Sequence, residues 1–311
     1  MILAVTMNPS VDIAYRMLEF KLDDVNRVET VHKTAGGKGL NVARVVAQME
    51  EAVLATGVLG GTLGDYIVRQ LHQSGIANDF LQIEKESRNC IAILHDGRQT
   101  EILESGPTLS LEEGDAFLQK FEGLLAKASI VTISGSLPKG LPASFYQQLL
   151  SVSSKRRVPV IVDTSGEALR HVLRSEQKPM AIKPNLAELS QLLGYQVEES
   201  SSQLKQALAD DLFAGIEWIV VSLGGSGAFV RKGADYYQVT IPKVKVVNPV
   251  GSGDATVAGL AVALRHGQTV ETVLKTAMTA GLLNAMEEGT GRINPVDFSQ
   301  YFDLVSVEKI D

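Results

Sequence analysis

Short, wholly apolar runs alternate along the chain with stretches whose apolar residues recur every three or four positions. Such alternation predicts an α/β fold in which a mostly parallel central sheet is flanked by helices, because strands buried on both faces read as unbroken hydrophobic runs. The predicted strands are Ile2 to Thr6, Val53 to Val58, Ile130 to Ser134, Val158 to Asp163, Met180 to Lys183, Trp218 to Ser222 and Ala228 to Lys232. The predicted helices lie at about 39 to 49, 64 to 74, 111 to 126, 143 to 154, 185 to 193, 254 to 266 and 270 to 286.

Two regions break this rhythm. Val11 to Tyr15 and Asn26 to Val31 alternate apolar and polar residues, as half-exposed antiparallel strands do. Asn89 to Leu94 and Gln99 to Leu103 flank His95-Asp96-Gly97-Arg98, where Asp-Gly is a strong hairpin signal. A small sheet made from about 10 to 34 and 88 to 105 would be discontinuous in sequence and would suit a β-sheet lid over one larger domain. No repeat, low-complexity tract or linker divides the chain, so residues 1 to 311 are expected to form a single domain carrying that lid.

Composition narrows the function. At 45% hydrophobic and 21% charged residues, the 311-residue chain can bury a sizeable core, and disorder is excluded. Its net charge of −7 argues against a nucleic-acid or anionic-membrane surface, so any anionic ligand needs a local basic pocket. Cys90 is the only cysteine, which leaves no disulfide framework and points to a reducing, cytoplasmic home. Five histidines show no metal-ligand spacing, no apolar run approaches about 18 residues, and Met1 to Ser10 lacks the marks of a secretory leader.

Four segments carry chemistry. Asn248-Pro249-Val250-Gly251-Ser252-Gly253-Asp254-Ala255 runs into a predicted helix, so its backbone N–H groups lie beside the positive end of the dipole, where phosphoryl charge is stabilised. Asp254 is placed to receive a proton, and the helix terminus is expected to lower its pKa. Taken alone, Gly-x-Gly-Asp is equally an ordinary helix cap. Thr34-Ala35-Gly36-Gly37-Lys38-Gly39-Leu40-Asn41 is a second glycine-rich helix start. It is not a Walker A loop, because Gly39 stands where Ser or Thr should follow the lysine. Trp218 to Ala228 holds Gly224-Gly225-Ser226-Gly227 after a strand, yet a further strand follows, so a dinucleotide fingerprint is weak. Lys183-Pro184-Asn185-Leu186-Ala187-Glu188 reads as a capping box with Asn185 at the cap, whatever else it does.

In this order the four segments resemble the ribokinase-like, or PfkB-type, carbohydrate kinases over essentially the whole chain. Asn248, Pro249 and Ser252 depart from the family's frequent Asp-Thr-x-Gly-Ala-Gly-Asp, a variation common in its hexose-phosphate branch. Thr6 to Asp12, Asn26 to Val28, Arg88 to Ile93, Ser134 to Pro138 and Gly215 to Ile219 carry the resemblance to that branch. It implies a ribokinase-like three-layer fold and ATP-dependent phosphorylation of the C1 hydroxyl of a ketohexose 6-phosphate, tagatose 6-phosphate first, with phosphorylation of fructose 1-phosphate or fructose 6-phosphate as the alternative. It also implies Asp254 as base with the N–H groups of Gly251, Ser252 and Gly253 as anion hole. Asp12, Gly37 and Asn41 would hold the sugar, and Lys38, Arg27, Arg88 and Ser136 its phosphate. ATP would lie on Lys183, Asn185, Ser222, Gly224, Gly227 and Asn284, and Glu188 would reach Mg²⁺. The exposed edges of a lid would also allow a homodimer.

Overall fold

A computed structural model describes residues 1–96 and 98–310. In chain order the strands are β1 (Ile2–Thr6), β2 (Ser10–Arg16), β3 (Val31–Gly36), β4 (Val53–Gly60), β5 (Ala77–Asn78), β6 (Leu81–Ile83), β7 (Arg88–His95), β8 (Arg98–Leu103), β9 (Ile130–Ser134), β10 (Val160–Asp163), β11 (Ala181–Ile182), β12 (Trp218–Ser222), β13 (Ala228–Lys232), β14 (Asp235–Thr240) and β15 (Ser306–Ile310). The helices are α1 (Lys38–Gln48), α2 (Gly61–Gln73), α3 (Leu111–Leu124), α4 (Phe145–Lys155), α5 (Gly166–Arg174), α6 (Leu186–Leu193), α7 (Ser201–Leu208), α8 (Ser252–Arg265), α9 (Val270–Met286) and α10 (Phe298–Leu304).

Eleven strands form the main sheet in the order β15-β14-β13-β12-β11-β10-β9-β1-β4-β5, with β6 also on β4. From β4 through β1, β9, β10 and β11 to β12 every pairing is parallel, and β13 to β15 complete the sheet antiparallel. The alternation of side chains across β1 explains why it is apolar throughout. Ile2 and Ala4 enter a core shared with α1, α8 and α9, while Leu3 and Val5 enter a second core with α3 and α4. All four are fully buried, as the central strand of a three-layer sandwich must be. Among the described residues no helix is long and apolar enough to cross a membrane.

The second, smaller sheet has the order β3-β2-β7-β8, and its strands come from two separated segments of the chain. Its hairpin pairs His95 with Arg98, although Gly97 lies outside the described residues. Two expectations are corrected. Strands β2 and β7 run parallel, because both leave the main sheet in the same direction, so only the outer pairings are antiparallel. The strand expected at Asn26 to Val31 instead begins at Val31, since Asn26 closes a turn by accepting from Lys21 N and donating to Lys21 O. The small sheet's outer strands are exposed, with Val31, Ile102 and Leu103 open to solvent.

Helices α5, α7 and α10, of nine, eight and seven residues, lie outside the predicted set. What matters for function is direction. Strands β1, β9, β10, β11 and β12 all end on one side, where α1 and α8 begin, and ligands of open parallel sheets bind at such ends.

Candidate active site

The start of α1 is set by glycines that let it approach β1 and β2. A Cβ on Gly36 would stand 2.0 Å from Asp12 Cγ, so the lid strand and the Asp12 carboxyl can lie together only with glycine there. Asp12 Oδ1 accepts from Ser10 Oγ at 2.6 Å, and burial pushes its carboxyl above the ordinary range. Asn41, one turn into α1, is buried and faces the site.

Helix α8 supplies the opposite wall. Gly251 caps it at φ 86°, a left-handed conformation that suits glycine. Asn248 Oδ1 accepts from Val250 N at 3.0 Å and Asn284 Nδ2 donates to Val250 O at 2.9 Å, which braces the turn from both sides. Among the described residues the N–H groups of Gly251 and Gly253 meet no protein acceptor, but Ser252 N is closed on Pro249 O at 3.2 Å. The anion hole expected from three N–H groups therefore has two open donors. Lys183 Nζ lies 3.1 Å from where a Gly253 Cβ would be, adding a cation at the same mouth.

Asp254 is 5% exposed and its Oδ2 accepts from Asn41 Nδ2 at 2.8 Å. Its pKa is pushed up to about 7, first by burial and then by the Asp163 charge, against opposing pulls from Lys38, Asn41 and Lys183. This reverses the expected lowering. The dipole acts over about half a charge at a helix end, whereas removing a carboxylate from water costs more.

Sequence reasoning missed Asp163, at the end of β10. It is 2% exposed and sits between two lysines, 3.6 Å from Lys38 Nζ and 3.5 Å from Lys183 Nζ. Its proximity raises the Lys38 pKa. Among the described residues neither oxygen has a hydrogen bond, and Thr6 Oγ1, Asn8 Oδ1 and Ser134 Oγ nearby at the strand ends are likewise buried and unpartnered. Buried polar groups left open in this way mark a place that a polar ligand or water completes.

Lys38, Arg88 and Ser136 line one cleft of 190 Å³ with Gly37 and Thr6. Arg88 also holds the lid root, donating to Asn8 O through Nε and Nη2 and to Glu104 O through Nη1. Arg27 is not brought to this group: it is exposed on the irregular stretch before β3, and among the described residues it has no hydrogen bond or ion pair.

On the far side, Asn185 and Ser222 are joined by a parallel bridge. The capping box is present, with Glu188 N donating to Asn185 Oδ1 at 2.8 Å and Asn185 N to Glu188 Oε2 at 2.9 Å. A short turn, Gly224–Ser226, leaves Gly224 open, whereas Gly227 is needed where β14 crosses, since its Cβ would meet Val239 O at 2.0 Å. Asn284 is fully buried and spends its amide within the protein, accepting from Arg292 N as well as donating to Val250 O.

Comparison with known proteins agrees with this arrangement. The family model for pfkB family carbohydrate kinase matches residues 5–297. A Staphylococcus aureus protein assigned as a phosphofructokinase is 30% identical, superposes with a TM-score of 0.85, and the match covers 100% of this chain and 99% of that one. Phosphofructokinase-2 from Escherichia coli in complex with fructose-6-phosphate is 26% identical, with a TM-score of 0.87 over 97% of this chain and 98% of that one. Arabidopsis thaliana ribokinase, solved with ribose and ATP, is 25% identical, with a TM-score of 0.80 over 96% and 98%. With glycine-rich starts of two helices meeting over the ends of a parallel sheet, and a family match spanning nearly its whole length, the chain belongs to the pfkB family of carbohydrate kinases.

Proposed function

We infer that this kinase transfers the γ-phosphoryl group of ATP to the C1 hydroxyl of a ketohexose 6-phosphate, tagatose 6-phosphate first among them. The observation that carries the reading is Asp254: a buried carboxylate raised to about 7, held by Asn41 and set beside the open N–H groups of Gly251 and Gly253. A base poised near the operating pH takes the hydroxyl proton efficiently, and fixed N–H dipoles with Lys183 meet the charge on the transferring group.

Asp12 and Asn41 lie on the lid side of Asp254 and are assigned to the sugar hydroxyls. Lys38, Arg88 and Ser136 share the cleft assigned to the phosphate already on the sugar. Asn185, Ser222 and Gly224 form the nucleotide side. Asn284 serves there by bracing the Val250 to Ser252 turn. Glu188 has one oxygen in its capping box and the other without a hydrogen bond among the described residues, which fits a hydrated Mg²⁺ that takes one carboxylate plus nucleotide phosphates. When bound, the cation would neutralise charge on the phosphate oxygens.

Replacing Arg88 by Ala is expected to raise KM for the sugar phosphate about tenfold or more while KM for ATP stays within about twofold, since a hydrogen bond to a charged group is worth roughly 1.5–3 kcal/mol. Equal rises in both would remove Arg88 from the sugar-phosphate side.

Fructose phosphates are the second reading, favoured by the E. coli neighbour solved with fructose-6-phosphate. The deciding experiment measures kcat/KM for tagatose 6-phosphate, fructose 6-phosphate and fructose 1-phosphate side by side. Preference for a fructose phosphate would move the assignment to that sugar. No ADP release with any of the three would leave a sugar-phosphate-binding regulator in place of the enzyme.

A further inference from the structure

Behind the site, Arg44 makes three side-chain hydrogen bonds. It lies one turn after Asn41 on α1 and donates through Nη1 to Asn41 Oδ1 and to Thr290 O, both at 3.0 Å, and through Nη2 to Ala35 O. Ala35 is the β3 residue beside Gly36, so one guanidinium reaches the lid root, the loop after α9 and the amide that touches Asp254. Burial pulls its pKa down to about 10, which leaves it charged at pH 7.

The chemistry of the three groups in line is restrictive. Arginine only donates, an ionised carboxylate only accepts, and an Asn amide has one end of each kind. With Arg44 on one side and Asp254 on the other, a single amide orientation satisfies both. We propose that Arg44 is a positioning residue for catalysis: it fixes the Asn41 amide so that the NH2 faces Asp254 Oδ2, leaving Asp254 Oδ1 for the substrate hydroxyl. This deepens, and rests on, the assignment of Asp254 as the base.

Without Arg44 the amide is free to turn its oxygen toward Asp254. Two acceptors then face each other, and the contact is satisfied only when Asp254 is protonated and cannot act as a base. The other charges facing Asp254 are Asp163 on β10, Lys38 on α1 and Lys183 after β11; those facing Arg44 are Asp12 on β2 and Arg292. None of these contacts the Asn41 amide by a hydrogen bond, so none can hold its orientation in place of Arg44.

A double-mutant cycle over Arg44→Lys and Asn41→Ala tests this, with kcat, both KM values and the pH profile read for all four proteins. Arg44→Lys is expected to lower kcat about tenfold or more and to move the acid limb of kcat/KM to higher pH, with KM for ATP unchanged. In the Asn41→Ala background, where no amide remains to turn, Arg44→Lys should change kcat by less than about twofold and leave the limb in place. Equal fold losses in both backgrounds, or an unmoved limb in the native one, would show that Arg44 only supports the fold. Should melting show that Arg44→Lys does not fold, Arg44→Met, which has no donor to offer Asn41 Oδ1, carries the kcat arm of the same cycle. Asp254→Asn is the control: near-native turnover there refutes the base assignment itself, whereas loss of turnover with an additive cycle refutes the role of Arg44 alone.

Discussion

Asp254→Asn is expected to lower kcat by about 10²- to 10⁴-fold while KM for either substrate moves by less than about threefold. The substitution preserves an oxygen that can accept from Asn41 Nδ2, so the start of α8 and its open N–H groups stay in place. What disappears is the carboxylate proposed to accept the hydroxyl proton. The native protein carries a companion signature. Because Asp254 is pushed up to about 7 and must be ionised to act, kcat/KM should fall about tenfold per unit as pH drops below that value and level off above it. Steady-state ADP release across that range measures both; turnover above a tenth of native in the variant would remove Asp254 from the chemistry.

The second large effect concerns Asp163, and it separates stability from catalysis. Asp163→Asn removes the shared counter-charge of Lys38 and Lys183, and Lys183 is itself buried with its side chain 6% exposed. Breaking a buried pair by deleting one partner costs about 3–5 kcal/mol, because the remaining charge is left uncompensated. A clear fall in Tm is therefore expected. The pH profile should move in the opposite sense from a simple loss of structure. Asp163 pushes the Asp254 pKa up and restrains two cations that pull it down, so its neutralisation shifts the acid limb of kcat/KM to lower pH. Melting curves and the same kinetic assay decide it, and a limb that stays put or rises contradicts the electrostatic account.

The parts of this architecture legible from residues alone are those in which local and global requirements coincide. Gly36, Gly37 and Gly251 announce close approaches and helix starts by their type, and β1, β9 and β12 are buried on both faces and so read as apolar runs. Asp163 stayed hidden because Val160-Ile161-Val162-Asp163 reads as a strand with an ordinary polar end. Only the register that sets it against Ser134 reveals that this end faces two lysines. Arg44 left a fainter signal: it is three residues after Asn41 and hence on the same helix face, but a lone arginine in Val42-Ala43-Arg44-Val45 is most simply taken as solvated. The sign of the Asp254 shift required burial, which the helix-terminus argument does not contain. Motif resemblance groups Arg27 with the cations, but the turn closed by Asn26 leaves it exposed before β3.

The burial of Asp254 also sets a trade between working and lasting. A carboxyl whose pKa is about 7 folded and near 3.9 unfolded holds its proton only in the native state over the interval between those values. The native protein therefore loses stability as pH rises through that interval, and above it bears the full cost of an ionised group in the interior. Asn at the same place carries no such burden. The Asp254→Asn variant should be the more heat-resistant protein in mildly alkaline buffer, with a margin that narrows as the solution is acidified. If Asp254 is the base, as proposed, turnover and durability pull in opposite directions at this one position.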